Sequence, residues 1–254
     1  MRPLTGPLPH GGRVPKRYER VILKVSGESL AKPGELGIDP EELALLASEI
    51  ADAYRNASPL QLAVVVGGGN IIRGARLAEA GTIDQSTADY MGMLGTVING
   101  LALKEALGHV GIEARCMSAI NLPAVAEPFI RARALRHLEK GRVVILVAGT
   151  GNPFFTTDTC ASLRGIELGV QAILKATKVD GIYTADPKKD PKAVRYERLR
   201  FAEAIEKQLA VMDLTALTMC MEHEVPVVVF DFRRSGNIRR VLEGDSAVGT
   251  VVTN

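Results

Sequence analysis

Seven short, largely apolar runs alternate with helical stretches along this chain, and that pattern leaves few folds open. The runs span residues 18–25, 60–66, 112–117, 142–148, 170–176, 225–230 and 247–252. They do not alternate apolar with polar residues, which is typical of strands buried on both faces. Strands interleaved with helices predict an α/β fold, a three-layer α/β/α sandwich with a central, mostly parallel sheet.

The helical stretches between the runs carry recognisable signals. Asp39-Pro40-Glu41 predicts a helix start, because a capping side chain is followed by proline and an acid in the first turn. Further helices are predicted near 85–107, 158–168 and 213–223. On the first of these three we expect Leu94, Val97, Ile98 and Leu101 to share one face.

Composition narrows the function classes. The chain has 254 residues, 46% of them hydrophobic, and a formal charge of +2, so it can bury a large core and gives no global nucleic-acid or membrane signal. Its three cysteines are far apart and form no Cys-x-x-Cys motif, so the sequence supports neither a disulfide framework nor a zinc site. We therefore expect the protein to work in a reducing cytoplasm. Residues 1–17 are basic and rich in proline, and we expect a flexible tail.

Ligands of open α/β sheets gather at the carboxyl ends of strands, and four predicted strand ends carry unusual loops. The first is Lys24-Val25-Ser26-Gly27-Glu28. A lysine at the end of a buried strand is costly unless its ammonium meets an anion, and Ser26 and Gly27 let backbone amides approach that anion. The alternative is a lysine whose ammonium simply reaches solvent.

The second loop is Gly67-Gly68-Gly69-Asn70, which presents consecutive amides to a phosphate, with Arg73 one turn later as a clamp. The alternative is a tight turn. No standard nucleotide fingerprint fits, because Ile72 and Phe154 stand where the last glycine of G-x-G-x-x-G should be. The Walker pattern is absent as well, which disfavours Rossmann dehydrogenases and P-loop kinases.

The third loop, residues 149–158, combines glycines, hydroxyls, aromatics and a carboxylate. Phe154 and Phe155 either support a flat ligand or pack the loop down. Asp158 either serves a ligand site or caps the following helix. The fourth loop, residues 174–187, has turns at Asp180-Gly181 and Asp186-Pro187 with Tyr183 between them, which would flank a purine or pack locally.

Taken in order, these stretches resemble the amino acid kinase superfamily and, within it, the bacterial uridylate (UMP) kinases. The matching pieces are KVSGE at 24–28, GGGNIIRG at 67–74, ADYMGMLGTVINGLALKEAL at 88–107, AGTGNPFFTTDT at 148–159, LKATKVDGIYTADPKKDP at 174–191 and VMDLTAL at 211–217. The resemblance implies the amino acid kinase fold as one domain over residues 18–254. It also implies a UMP-binding lobe over about 18–165 and an ATP-binding lobe over about 166–254. Read from the residues alone, the loop Pro-Lys-Lys-Asp-Pro at 187–191 is a second place for a soft boundary between two lobes.

The resemblance implies transfer of the γ-phosphoryl group of ATP to UMP, giving UDP, with Mg²⁺ and in pyrimidine biosynthesis. The positions that match ATP contacts are Lys24, Val25, Ser26, Gly27, Gly69, Arg73, Thr177, Tyr183 and Asp186. The positions that match UMP contacts are Gly68, Asp89, Thr150, Gly151, Asn152, Pro153, Phe154, Phe155, Thr156 and Thr157.

Two residues are assigned to the chemistry. Lys24 is expected to neutralise the transferring oxygens, because two polyanions must meet end to end. Asp158 is expected to orient Lys24 or the shell of the metal. Mg²⁺ would bridge ATP oxygens and need few protein ligands, so no residue is assigned as a metal ligand. No general base is needed, since the UMP phosphate is already an anionic nucleophile.

The resemblance also implies a homo-oligomer, a hexamer, with GTP as activator and UTP as inhibitor. Lys104 and Arg115 are candidates for a GTP contact, but Gly108 stands where a histidine can occur, so no effector site is assigned. Two alternatives stay open. One is a related kinase that phosphorylates a carboxylate such as acetylglutamate. The other is a non-catalytic nucleotide sensor on the same fold.

Overall fold

The computed structural model describes residues 17–57, 59–72, 81–187 and 189–254. Within these ranges the strands are β1 (Arg20–Val25), β2 (Gln61–Val66), β3 (Ala114–Ser118), β4 (Glu127–Pro128), β5 (Val143–Val147), β6 (Ala172–Thr177), β7 (Arg198–Arg200), β8 (Val227–Asp231) and β9 (Gly249–Thr253). They form one sheet in the order β4-β3-β5-β2-β1-β6-β8-β9-β7. Neighbouring strands run parallel, apart from the antiparallel pair β8 and β9.

Helices cover both faces of this sheet. They are α1 (Pro40–Asn56), α2 (Gln85–His109), α3 (Arg131–Glu139), α4 (Thr157–Leu168), α5 (Phe201–Glu206), α6 (Leu214–Glu222) and α7 (Asn237–Leu242), with 3₁₀ turns at Gly27–Leu30 and Ser246–Val248. One apolar core lies under α1, α2 and α7, and a second lies under α3 to α6. The predicted three-layer α/β/α sandwich with a mostly parallel sheet is confirmed.

Alternation along the central strands decides where two lysines point. On β1, Leu23 and Val25 pack in the core under α1 and α2, whereas Ile22 packs in the core under α4. Lys24 follows Ile22 by two residues and therefore lies on the α4 side, because successive side chains alternate across a sheet. On β6, Lys175 lies on the same side and is the register partner of Lys24. The fold thus sets two lysines side by side.

The predicted start of α1 is confirmed in detail. Pro40 is the first helical residue, and the Asp39 carboxylate accepts hydrogen bonds from the amides of Glu41 and Glu42 at 3.0 and 3.1 Å. All seven predicted strands are present within about two residues of their expected bounds. The prediction missed β4, β7, α3, α5 and α7, each of which is too short or too polar to give a clear apolar period.

The predicted apolar face of α2 is wrong in part. Val97 is buried, whereas Leu94 and Ile98 are 46% and 48% exposed and form an exterior stripe with Tyr90. The buried face mixes the apolar residues Met93, Val97, Leu103 and Leu107 with small and polar residues, among them Gly95, Thr96, Asn99 and Gly100, and the small ones let the helix lie very close to β5. A Cβ at Gly100 would come within 2.2 Å of Val147 Cγ1.

Of the helices in the described ranges, none combines the length and hydrophobicity that a bilayer span requires.

Candidate active site

Two lysines share one carboxylate at the carboxyl edge of the sheet. Lys24 Nζ lies 2.7 Å from Asp158 Oδ1, and Lys175 Nζ lies 2.7 Å from Asp158 Oδ2. The three side chains are only 11%, 16% and 13% exposed for Lys24, Lys175 and Asp158 respectively. Each charge is therefore largely removed from water and depends on its partners, since an unpaired buried ion is very costly.

The electrostatics of this cluster keep Asp158 ionised. Burial by itself would raise the pKa of Asp158, but the ammonium groups of Lys24 and Lys175 hold it below its ordinary value. Burial lowers the pKa of Lys175, and the nearby charge of Lys24 acts in the same direction, while Asp158 opposes both. A carboxylate between two ammonium groups is thus the stable arrangement at neutral pH.

The helix start explains why the Asp158 side chain is available. Thr156 is the N-cap of α4, and its hydroxyl accepts hydrogen bonds from the amides of Asp158 and Thr159. The interpretation of Asp158 as the cap is therefore wrong. Asp158 lies in the first turn, where a negative charge is favoured by the helix dipole. Thr156 and Thr159 also donate their hydroxyls to Asp213, the N-cap of α6.

The loops after β1 and β2 contact each other closely. The Gly67 amide donates to the Val25 carbonyl at 2.9 Å. A Cβ at Gly27 would come within 2.5 Å of Asn70 Oδ1 and 2.8 Å of the Gly67 carbonyl oxygen, so only glycine fits there. The Ser26 carbonyl accepts from the Ser29 amide and begins the first 3₁₀ turn. Lys24, Val25, Ser26 and Gly27 therefore run directly alongside the glycine turn.

A buried asparagine that the sequence analysis did not single out fixes this turn. Asn99, in the middle of α2 and fully buried, donates to the Gly67 carbonyl at 2.7 Å and to Asn70 Oδ1 at 2.6 Å. Asn70 in turn donates to the Gly37 carbonyl at 2.7 Å. An asparagine among the apolar residues of a predicted helix is a sequence signal that could have identified Asn99, because a buried polar side chain needs hydrogen-bond partners.

The first pocket lies between the glycine turn, α2 and the loop after β5. Residues of its wall are Gly68, Gly69, Ile72, Ala88, Asp89, Gly92, Met93, Thr96, Gly149, Thr150, Asn152, Phe155, Thr156 and Thr157. The structure thus brings together most of the predicted UMP contacts. Gly151, Pro153 and Phe154 belong to the same loop but do not line the pocket, and Phe154 is 73% exposed. Sequence reasoning did not anticipate Gly92, Met93 and Thr96 of α2.

Asp89 ties the loop after β5 to α2. Its Oδ2 accepts a hydrogen bond from the Phe154 amide at 2.7 Å, and its Oδ1 accepts one from Gln85 Nε2 at 2.8 Å. Phe154 has a φ of 70°, which a non-glycine residue adopts only when its surroundings enforce it. Thr96 accepts from the Ala148 amide at 2.7 Å and fixes the beginning of the same loop.

The second pocket lies beyond β6. Its wall contains Lys178, Val179, Asp180, Gly181, Ile182, Tyr183, Ala185, Asp186, Pro187, Gln208, Leu209, Ala210, Asp231 and Arg234. Tyr183 and Asp186 are thus at this pocket, and the Tyr183 hydroxyl donates to Asp180 at 2.9 Å. Thr177 is not part of the wall, and its hydroxyl donates to the Val179 carbonyl. Arg73 lies outside the described residues.

Strand order relates the two pockets to the charged cluster. The first pocket is built from segments that follow β2 and β5, together with α2. The second is built mainly from the segment that follows β6, with residues 208–210 after α5 and with Asp231 and Arg234 at and beyond the end of β8. β1, which carries Lys24, stands between β2 and β6 in the sheet. By strand order, Lys24 therefore lies between the segments that build the two pockets, although it belongs to neither wall.

The sheet, the glycine turn and the buried cation define a protein of the amino acid kinase family, and residues 19–231 match that family, to which the chain belongs. Among solved structures, the UMP kinase from Bacillus anthracis is 39% identical, with 93% of this chain and 96% of that chain covered and a TM-score of 0.88. The UMP kinase from Ureaplasma parvum is 37% identical, with coverage of 94% and 100% and a TM-score of 0.86. The uridylate kinase from Archaeoglobus fulgidus is 26% identical, with coverage of 92% and 99% and a TM-score of 0.67.

Proposed function

We propose that this protein is a UMP kinase, which transfers the γ-phosphoryl group of ATP to UMP and forms UDP for pyrimidine nucleotide biosynthesis. The observation that carries the proposal is the buried cluster of Lys24, Asp158 and Lys175 between two pockets. Support also comes from two UMP kinases that are 37–39% identical to this chain, which matches them along nearly their whole length.

Each part of the cluster has a role in this reaction. Phosphoryl transfer spreads negative charge over equatorial oxygens, and fixed cations in a site shielded from water stabilise that charge. Lys24 supplies the cation at the junction of the pockets. Asp158 holds Lys24 in place, and the amides of Gly68 and Gly69 approach the phosphates. The UMP phosphate attacks as an anion, so the histidines need no catalytic role.

The first pocket is the proposed UMP site. Asp89 would contact a ribose hydroxyl, and Asn152, Thr150 and Thr157 would read the uracil. Among the threonines of this loop, Thr156 is already used as a helix cap and as a donor to Asp213. The Thr157 hydroxyl makes no hydrogen bond within the described part of the chain, which leaves it available for a base.

The second pocket is the proposed site of the ATP nucleoside, with Tyr183 and Asp186 in its wall. This division supports an N-terminal UMP-binding lobe over about 18–165 and a C-terminal ATP-binding lobe over about 166–254. In the described ranges no group of three His, Cys, Asp or Glu side chains is placed to hold a metal. Mg²⁺ would be brought by the ATP phosphates and would neutralise charge on the transferring group.

The oligomer, the effectors and the compartment are proposals of the same kind. The stripe of Tyr90, Leu94 and Ile98 supports a homo-oligomer, and family resemblance favours a hexamer.

Lys104 and Arg115 lie in the wall of a third pocket, which is compatible with activation by GTP. Initial rates with and without GTP and UTP test both effectors. Three free, buried cysteines support a reducing cytoplasm.

One coupled assay tests the proposed reaction and separates it from its alternatives. ATP-dependent turnover is measured with UMP, CMP, dUMP and acetylglutamate as acceptors, and UMP is expected to be preferred. Lys24→Met should lower kcat by at least about a hundredfold, because one catalytic cation is worth about 3 kcal/mol. Preference for acetylglutamate would indicate the carboxylate kinase. Tight UTP binding without any turnover would indicate the sensor.

A further inference from the structure

Lys175 has no part in the predicted site, yet its ammonium group is bound as tightly as that of Lys24. It donates to Asp158 Oδ2 at 2.7 Å and to the Val211 carbonyl at 2.6 Å. Its side chain is only 16% exposed. Removing a lysine ammonium from water costs several kcal/mol, and a methionine or leucine would fill the same space at no such cost. A buried cation at this position therefore needs a reason other than packing.

The charge of the cluster supplies that reason. Lys24 and Asp158 by themselves would form a neutral pair and would present little positive potential to incoming phosphates. With Lys175 the three groups in direct contact sum to +1. The next carboxylate, Asp213, accepts hydrogen bonds from the hydroxyls of Thr156 and Thr159 and from an amide at the start of α6, and its charge acts on Lys175 more weakly than that of Asp158. Lys175 thus offsets Asp158, which leaves the charge of Lys24 available for ligands.

Geometry points the same way. Lys24 and Lys175 are register partners on neighbouring strands, so Asp158 can bind both ammonium groups with different oxygens. Binding at Oδ2 restricts rotation of the carboxylate and keeps Oδ1 directed at Lys24. The second bond of Lys175 reaches Val211, which directly follows the segment 208–210 in the wall of the second pocket. One side chain thereby links the charged cluster to that pocket.

We propose that Lys175 is a positioning residue for phosphoryl transfer, which holds and partly neutralises Asp158 so that Lys24 directs its charge at the reacting phosphates. This inference rests on the proposed UMP kinase activity. It predicts an effect on kcat that exceeds any effect on the KM values, because Lys175 lines neither pocket and reaches the second only by way of Val211, the neighbour of the wall residue Ala210.

The test compares Lys175→Met with Lys175→Arg and with a control, Lys207→Met. Lys207 is also paired with a carboxylate at 2.7 Å, that of Glu203, but its side chain is 51% exposed. We expect Lys175→Met to lower kcat about thirtyfold with KM for UMP changed less than threefold, Lys175→Arg to retain a larger share of kcat, and Lys207→Met to match the wild type. A Lys175→Met enzyme with wild-type kcat overturns the inference. If Lys175→Met does not fold, Lys175→Gln takes its place, and a Lys175→Gln enzyme with wild-type kcat, or with a loss confined to the KM values, overturns the inference equally.

A double-mutant cycle with Asp158→Asn separates positioning from an independent role. If Lys175 acts through Asp158, Lys175→Met should lower kcat much less in the Asp158→Asn background than in the wild type. Equal losses in both backgrounds would contradict the inference. The wild-type rate with UMP distinguishes the two proposals. A wild type inactive on UMP refutes the proposed function, whereas an active wild type with an unaffected Lys175→Met refutes only the role of Lys175.

Discussion

Asp158 and Asp213 show how surroundings decide what one residue type does. Both lie at the start of a helix. Asp213 is the N-cap of α6 and accepts a hydrogen bond from the Ala216 amide at 2.9 Å. Asp158 lies two residues after its cap, Thr156, so its carboxylate is directed away from the helix end and towards two lysines. Of these two carboxylates, that of Asp158 contacts Lys24, the proposed catalytic cation.

The Asp158 carboxylate should also make stability depend on pH. Its pKa in the folded protein lies below the ordinary 3.8, so its contribution is present above that value and is lost as pH falls through the folded pKa. Asp158→Asn removes the counter-ion of two buried ammonium groups and should cost about 3 kcal/mol of unfolding free energy at pH 7. Urea unfolding at pH 7, 5 and 3 should show this difference intact at pH 5 and reduced at pH 3. A difference that stays constant down to pH 3 would contradict the assignment.

At the scale of elements, the sequence predicts well where the strands lie along the chain, but it does not predict which strands pair with each other. Each of the seven predicted strands is apolar and buried, so its own residues suffice to identify it. The pairing of β1 with β6 joins segments about 150 residues apart, and local sequence carries no record of that register. This is why Lys24 and Asp158 could be predicted from motifs while Lys175 could not. The face of α2 was misjudged for a similar reason, since Gly100 is buried only because β5 lies against it.

The glycine turn offers a comparison between packing and ligand binding. A Cβ at Gly68 would come within 2.6 Å of the Gly92 carbonyl oxygen of α2, whereas a Cβ at Gly69 would meet no atom within 4 Å in the described part of the chain. Gly68→Ala should therefore destabilise the fold by about 1–3 kcal/mol, as overpacking does. Gly69→Ala should leave the unfolding free energy nearly unchanged and raise the KM values for the nucleotides, because Gly69 lines the first pocket and the added methyl group would face the phosphates that meet there.

Urea unfolding and initial rates on the two variants check this pair of expectations. If Gly69→Ala binds and turns over both nucleotides normally, the Gly69 amide does not approach a phosphate. If Gly68→Ala is as stable as the wild type, α2 can shift away from the added methyl group at little cost. The two outcomes are independent, because one reports on protein packing and the other on the ligand.

At the scale of the whole molecule, the two faces of α2 serve different purposes. The inner face packs against β5 and holds the glycine turn through Asn99. The outer face carries the stripe of Tyr90, Leu94 and Ile98, each close to half exposed. Apolar stripes of this kind at four-residue spacing are typical of helices that pack against another helix. α2 thereby joins the proposed subunit contact to the proposed UMP site.

Leu94→Glu should disrupt the proposed homo-oligomer, because a carboxylate without a partner in an apolar interface costs several kcal/mol. Leu45 on α1 is also a leucine with 46% exposure, so Leu45→Glu is a matched control that should leave the assembly intact. Sedimentation velocity would measure the mass of each protein, with six copies expected for the wild type and for Leu45→Glu, and a smaller assembly for Leu94→Glu. A monomeric wild type would refute the homo-oligomer, and a Leu94→Glu protein of unchanged mass would place the contact elsewhere. Because Leu94 does not line the first pocket, any loss of UMP turnover in Leu94→Glu would report the effect of assembly on the site.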